Sequence, residues 1–209
     1  MEVTRDRTFV TAILLSCLLC PFFGCTQPPR PLQFELLFEQ GAPLPETAQV
    51  AAAASCPVGL IAVTDERSNQ ESIGDAGLPV IATGVVEWTR EGIASLAAYG
   101  HPYRDLAQGG AGFAGLSLDV AINKVYCRSQ PMSLRGVVVL TVKYAQGDVA
   151  LGQRVYRGDT VDEKGLLFGN VNTGFSADSA QRALNEAMRQ AIAEIHADVI
   201  VLAGAGGGE

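Results

Sequence analysis

Few residues in this chain are equipped to do chemistry. It has 209 residues, with two histidines and five cysteines. His101 precedes Pro102 in a loop pattern, and His196 falls on the last turn of a predicted helix, where a cation suits the helix dipole. Neither has a Cys or His at metal-ligand spacing, so both read as structural and no metal site is expected. Gly110, Gly112 and Gly115 spell G-x-G-x-x-G. That motif cradles pyrophosphate only between a strand and a helix N-terminus. Here a strand pattern follows it, which predicts a loop. Asp159, Asp162 and Glu163 lack the glycine-centred spacing of a calcium loop and read as a solvated turn. No Walker lysine pattern or nucleophile elbow occurs. We expect no catalytic residue, no cofactor and no enzyme.

One polar constellation stands apart. The apolar run 58–64 feeds directly into Asp65, Glu66, Arg67, Ser68, Asn69 and Gln70. A strand ending in such a cluster places it at a sheet edge. Asp65 and Arg67 can pair, and Ser68 and Asn69 can bond the turn backbone. Two readings follow: a structural turn with an internal ion pair, or a polar contact surface for a partner. No general base stands beside a nucleophile in the cluster, so catalysis is not suggested.

The cysteines sort by position. Arg5 and Arg7 precede an apolar run over 9–23 that Pro21 interrupts, too short for a spanning helix, as in an export signal. Gly24-Cys25 then resembles the lipobox of bacterial lipoproteins, with Phe22 where that motif usually has Leu. The resemblance implies a signal over 1–24, cleavage after Gly24 and acylation of Cys25. With Thr26 next, it also implies an outer-membrane anchor with the domain facing the periplasm. Each buried methylene adds about 0.8 kcal/mol to such an anchor. Cys17 and Cys20 leave with the signal. Cys56 and Cys127 remain, either as a disulfide in an oxidising compartment or as two small buried thiols.

The charge balance, 15 basic against 22 acidic residues for a net −7, disfavours a nucleic-acid partner. With 48% apolar and 18% charged residues, the chain can bury a core. Prolines at 28, 29, 31, 43 and 45 predict a semi-stiff tether over 25–55, in which 32–39 is an edge strand or a docked segment. A single domain is placed at 56–203 and a flexible glycine-rich tail at 204–209. Strands are predicted over 58–64, 80–88 (with a bulge at Gly84), 116–127 and 137–144. A slip of phase at Asn123-Lys124 predicts a second bulge. Gln146, Gly147 and Asp148 turn the chain into a returning strand over 149–157, forming a hairpin with an exposed edge. Thr89 is placed as the cap of a short helix over 90–99. An amphipathic stripe predicts a long helix over 177–197, capped by Ser176, or by Asp178 with Gln181 as a capping box. A last apolar segment, 199–202, reads as a strand. The fold class is α+β: a two-layer sandwich of mixed or antiparallel sheet with a long C-terminal helix on one face.

The stretch 63–70, with Ile73-Gly74 behind it, resembles the YajG-like family of bacterial lipoproteins, which carry a D-x-R-S-N-Q-like cluster after an early strand. The same element order follows through the 116–122 strand and the hairpin to the Ala-rich helix, while 73–115 fits the family poorly. The resemblance implies an envelope lipoprotein without established enzymatic activity, lipidated at Cys25. Two functions are therefore expected. The first is a non-enzymatic, membrane-anchored interaction or accessory module with an envelope protein partner. The second is a small-ligand binder, for lipid, glycan or muropeptide, that assists an envelope transporter.

Overall fold

A computed structural model describes residues 30–41, 56–75, 79–107, 109, 112–130, 133–162 and 176–205. The expected signal, Cys25, Glu163 and the tail beyond 205 lie outside them. So do Gly110 and the whole segment 42–55.

One long strand organises the molecule. β6 (Leu116–Gln130) alternates inward and outward residues, with Leu116, Leu118, Val120 and Ile122 buried. Its ladder with β7 (Ser133–Gln146) shifts between Ile122 and Lys124, where the phase slip predicts a bulge, and Val125 and Cys127 take over the buried parity. β7 turns at Gly147 into β8 (Val149–Asp162), completing an antiparallel meander of three long strands.

The opposite edge of β6 carries two short parallel branches. β2 (Val58–Asp65) pairs with its first half, and β5 (Tyr103–Asp105) pairs with β2. β3 (Gly74–Asp75) pairs with its second half. β3 in turn pairs with β4 (Pro79–Thr83), and β4 with β1 (Leu32–Glu35). The compact unit runs over Pro31–Glu209, so the domain begins at Pro31 rather than at Cys56. The segment 32–39 is both edge strand and docked segment: past β1, the carbonyls of Leu37 and Glu39 accept bonds from Asn185 Nδ2 and Arg189 Nη1, each at 3.1 Å.

α1 (Val85–Ala94) and a 3₁₀ turn (Ser95–Tyr99) follow β4, and α2 (Ala177–Ala205) closes the chain. The helices therefore depart from expectation at three places. Val85–Trp88 is helical rather than strand, because Gly84 at φ +74° starts a helix whose buried face is Val85, Trp88, Thr89 and Ile93. Thr89 is thus inside the helix and bonds back to Val85 O. The 199–202 segment continues α2, since Val199 extends the buried stripe of Met188, Ile192 and Ile195. Ser176 Oγ accepts the Ser179 N–H at 3.2 Å and caps α2, while Gln181 turns away to Leu37 O, so no capping box forms with Asp178.

α2 lies on one face of the meander, and two glycines admit it. A Cβ at Gly136 would stand 2.6 Å from Ala183, and one at Gly158 would stand 1.6 Å from the Ala187 carbonyl oxygen. The result is the expected α+β sandwich of two layers. No helix among the described residues is long and apolar enough to cross a membrane.

The register rules out the Cys56–Cys127 bridge. β2, which Cys56 immediately precedes, starts beside Leu116, whereas Cys127 lies toward the other end of the fifteen-residue β6. The separation is about 35 Å along the strand, against the ~7 Å or less between Cα atoms that a disulfide needs. Both thiols are free. Cys127 is buried, and that burial pushes its thiol up to about 12.

Candidate functional site

The two branches on β6 do not meet. Ladder pairing with β2 ends at Ile122, and pairing with β3 resumes at Cys127. Between them β6 passes through its bulge with no strand among the described residues on that edge, and the polar cluster borders the gap. Glu66 N–H bonds to Ile122 O at 3.0 Å on one side, and Cys127 N–H bonds to Ile73 O at 2.6 Å on the other. The loop 66–73 thus bridges the interval between the two branches, bonded to β6 at its two ends.

Its internal chemistry is dense. Arg67 Nε and Nη2 donate to Asp65 Oδ1 and Oδ2 at 2.8 and 2.7 Å, a bidentate pair whose Arg side chain is only 5% exposed. The guanidinium holds the Asp65 carboxyl below the usual carboxylate range, against the opposing effect of burial. Asn69 Oδ1 accepts the Glu71 and Ser72 N–H groups at 3.0 and 3.1 Å, an Asx turn. Gln70 Nε2 donates to Asp65 O at 2.9 Å. Ser72 Oγ donates to Val80 O at 3.0 Å and ties the loop to β4. Gly74, at φ +130°, ends the loop where a Cβ would stand 1.9 Å from Cys127 O.

The cluster borders a shallow recess of about 190 Å³. Arg67, Ser68, Asn69 and Ser72 line one wall, and Asn123, Lys124 and Tyr126 the other. Arg67 Nη1 is buried there with no hydrogen-bond partner among the described residues. Lys124 Nζ sits 5.0 Å above the Tyr126 ring. The arrangement presents cationic and amide donors beside an aromatic ring; it holds no nucleophile–base pair. The expected cluster is therefore brought together in full. Asp65, Asn69 and Gln70 hold the turn, Arg67 joins turn to recess, and Ser68 is exposed at its rim.

The histidines depart from expectation. They are not alone: His101 Nε2 and His196 Nδ1 lie 2.8 Å apart, both residues buried. His101 Nδ1 is 3.2 Å from Cys56 O. A carbonyl only accepts, so Nδ1 carries the proton and Nε2 accepts from His196. Burial lowers the His101 pKa, and Tyr99 packs on His196 with ring centroids 4.7 Å apart. Sequence offered no signal for a pair 95 positions apart.

Asp159 is not in a turn but in β8, paired with Arg135 and Arg157, and Asp162 ends that strand. A second buried network joins Tyr144, Tyr156 and Asp198, with Tyr156 donating to Asp198 at 2.5 Å and receiving Tyr144 at 2.6 Å. Another recess, of about 450 Å³, is lined by Ile61, Leu106, Phe113 and Ser117. Among the described residues no group of three or more His, Cys, Asp or Glu is placed to hold a metal ion.

No family model matches the chain, and no curated protein matches its sequence. Solved structures do resemble it. A Xanthomonas campestris protein of family DUF330 superposes with TM-score 0.53 at 8% identity, over 83% of this chain and 97% of that one. A hypothetical protein from Chlamydia trachomatis gives 0.44 at 10% identity, over 71% and 99%. Lipoprotein GNA1162 from Neisseria meningitidis gives 0.35 at 8% identity, over 73% and 99%. At such identities the first match establishes a shared fold, and a fold leaves activity open.

Proposed function

We propose that this chain is a non-enzymatic bacterial envelope lipoprotein of the YajG-like kind. In this reading it is acylated at Cys25, held at the outer membrane, and exposes its α+β domain to the periplasm as an interaction or accessory module. The observation that carries the reading is the break in the sheet at β6, bordered by a polar loop and open to a partner at Ser68, Lys124 and Tyr126. A protein partner fits because the recess is small and shallow, and a fixed array of donors favours specificity over enclosure. The Pro-rich stretch near Cys25 would confine the domain to the membrane surface and raise its effective concentration for partners there.

The test is a photo-crosslinking residue at Ser68, which is exposed and whose side chain is not among the turn's bonds. Irradiation of cells should yield a discrete protein adduct. Absence of any adduct there, with the chain folded and membrane-bound, returns the cluster to a purely structural turn. Incorporation of labelled palmitate that survives Cys25→Ser removes the anchor assignment.

The recess beside Phe113 favours a second reading, a small-ligand binder that assists an envelope transporter. Its volume is within the usual range for small ligands. A ligand retained through purification and seen by native mass spectrometry would put this reading first.

A further inference from the structure

Among the described residues the sheet has three edge strands, two short and one long. β1 and β5 are four and three residues long. β8 is fourteen residues long and, among the described residues, pairs only with β7. Proteins usually blunt such an edge with lysine or proline. β8 contains neither, and it exposes Val155 and Val161, 63% and 49% accessible.

The β8 sequence is complementary to itself when reversed. We propose that two copies of this chain pair antiparallel through β8, about a two-fold axis at Gly158. That register sets Arg157 opposite Asp159 of the second copy, Val155 opposite Val161, and Tyr156 opposite Thr160, each twice by symmetry. Positions 154 and 162, an Arg and an Asp, also fall opposite. Moving the register by two residues in either direction breaks the Arg157–Asp159 match. A two-fold interface must be self-complementary in this way.

The backbone is oriented for it. Asp159 N–H points away from β7, since it reaches Gln190 Oε1 at 3.1 Å. By alternation the N–H groups of residues 155, 157 and 161 point outward as well. Pairing transfers the Asp159 donor from Gln190 to the carbonyl of Arg157 in the second copy. Arg157 and Asp159 already meet at 2.9 Å within one chain, where Asp159 also pairs with Arg135, so the interface joins two such triads into a six-charge cluster on the face away from α2. The axis stands perpendicular to the sheet, so both copies of α2 lie side by side on one face, with Gln190 near the axis. This association does not depend on the lipid anchor.

The test uses residues 26–209, which contain the whole compact unit and no acyl chain to drive association. Sedimentation velocity should give the mass of two copies at about 100 µM. The exposed double substitution Val155→Lys with Val161→Lys sets like charges opposite each other and should weaken the dimer about tenfold or more, with the melting of the monomer unchanged. Mixed Val155→Cys and Val161→Cys chains, in a Cys56→Ser background, should cross-link on oxidation far faster than Val155→Cys alone. A monomer at that concentration overturns the proposal. So does a dimer indifferent to the two lysines, or a Val155→Cys chain that cross-links as fast alone as in the mixture.

Discussion

The two long edges of β6 are built on different principles. Toward β7 the ladder is continuous apart from one bulge, and α2 presses on it where Gly136 and Gly158 leave room. Toward β2 and β3 the ladder is interrupted, and side chains of Asp65, Arg67, Asn69, Gln70 and Ser72 bond the bridging loop to itself and to β4. The first edge is held chiefly by packing, which acts through shape, with the Arg135–Asp159–Arg157 pairs on its outer strands. The second is held by charge-assisted hydrogen bonds, which need a particular protonation state. A single strand thus separates a half held chiefly by packing from a half held chiefly by side-chain hydrogen bonds.

The comparison breaks most sharply at Gly158. Gly158→Val drives a Cβ into the Ala187 carbonyl and should cost about 4 kcal/mol or more, seen as loss of the cooperative urea transition. Next comes Trp88→Ala. It empties a fully buried site and leaves Asn185 Oδ1 without its 2.8 Å bond, an expected loss of about 3–5 kcal/mol at any pH. On the polar edge, Arg67→Ala should cost about 2–3 kcal/mol at neutral pH, because it leaves Asp65 part-buried and unpaired.

The pH dependence sharpens the same contrast. The folded Asp65 pKa lies below its ordinary 3.8, so the stability it contributes is complete above about pH 4 and disappears as pH falls through the folded value. In Arg67→Ala the Asp65 part of this acid limb should disappear from urea titrations between about pH 5 and 2, leaving the part from Asp159, which Arg135 and Arg157 hold below 3.8 in the same way. His101 gives a smaller effect at milder acidity. Its folded pKa is lowered from 6.5, so the unfolded chain binds the extra proton first, and stability falls as pH drops below about 6.5. His101→Asn should remove most of that slope while leaving the Asp65 limb in place.

Legibility in the sequence followed the same division. Alternation over 116–122, the slipped phase at Asn123 and the turn at Gly147 all record local backbone geometry, and the structure contains each of them. The polar cluster was visible as a run of residue types, and its ion pair and Asx turn are short-range bonds. Three things were hidden because they depend on distant partners. Val85, Val86 and Trp88 have strand-like propensities, yet burial of Trp88 against Asn185 makes them helical. The edge strand within 32–39 is legible, but its pairing with β4, which brings it into the sheet, is not. The His101–His196 contact exists only once α2 has docked. The gap in the sheet could not be foreseen either, since it depends on where β2 stops and β3 begins along β6.

The position of β1 has a mechanical consequence. It is the first strand of the unit, it runs parallel to β4, and the residues just after it are gripped by Asn185 and Arg189 from the closing helix. Tension entering through Arg30 along the strand axis loads the β1–β4 bonds together, in shear, rather than peeling them one at a time. The first strand of the unit and the long helix that grips it then resist the same pull in parallel.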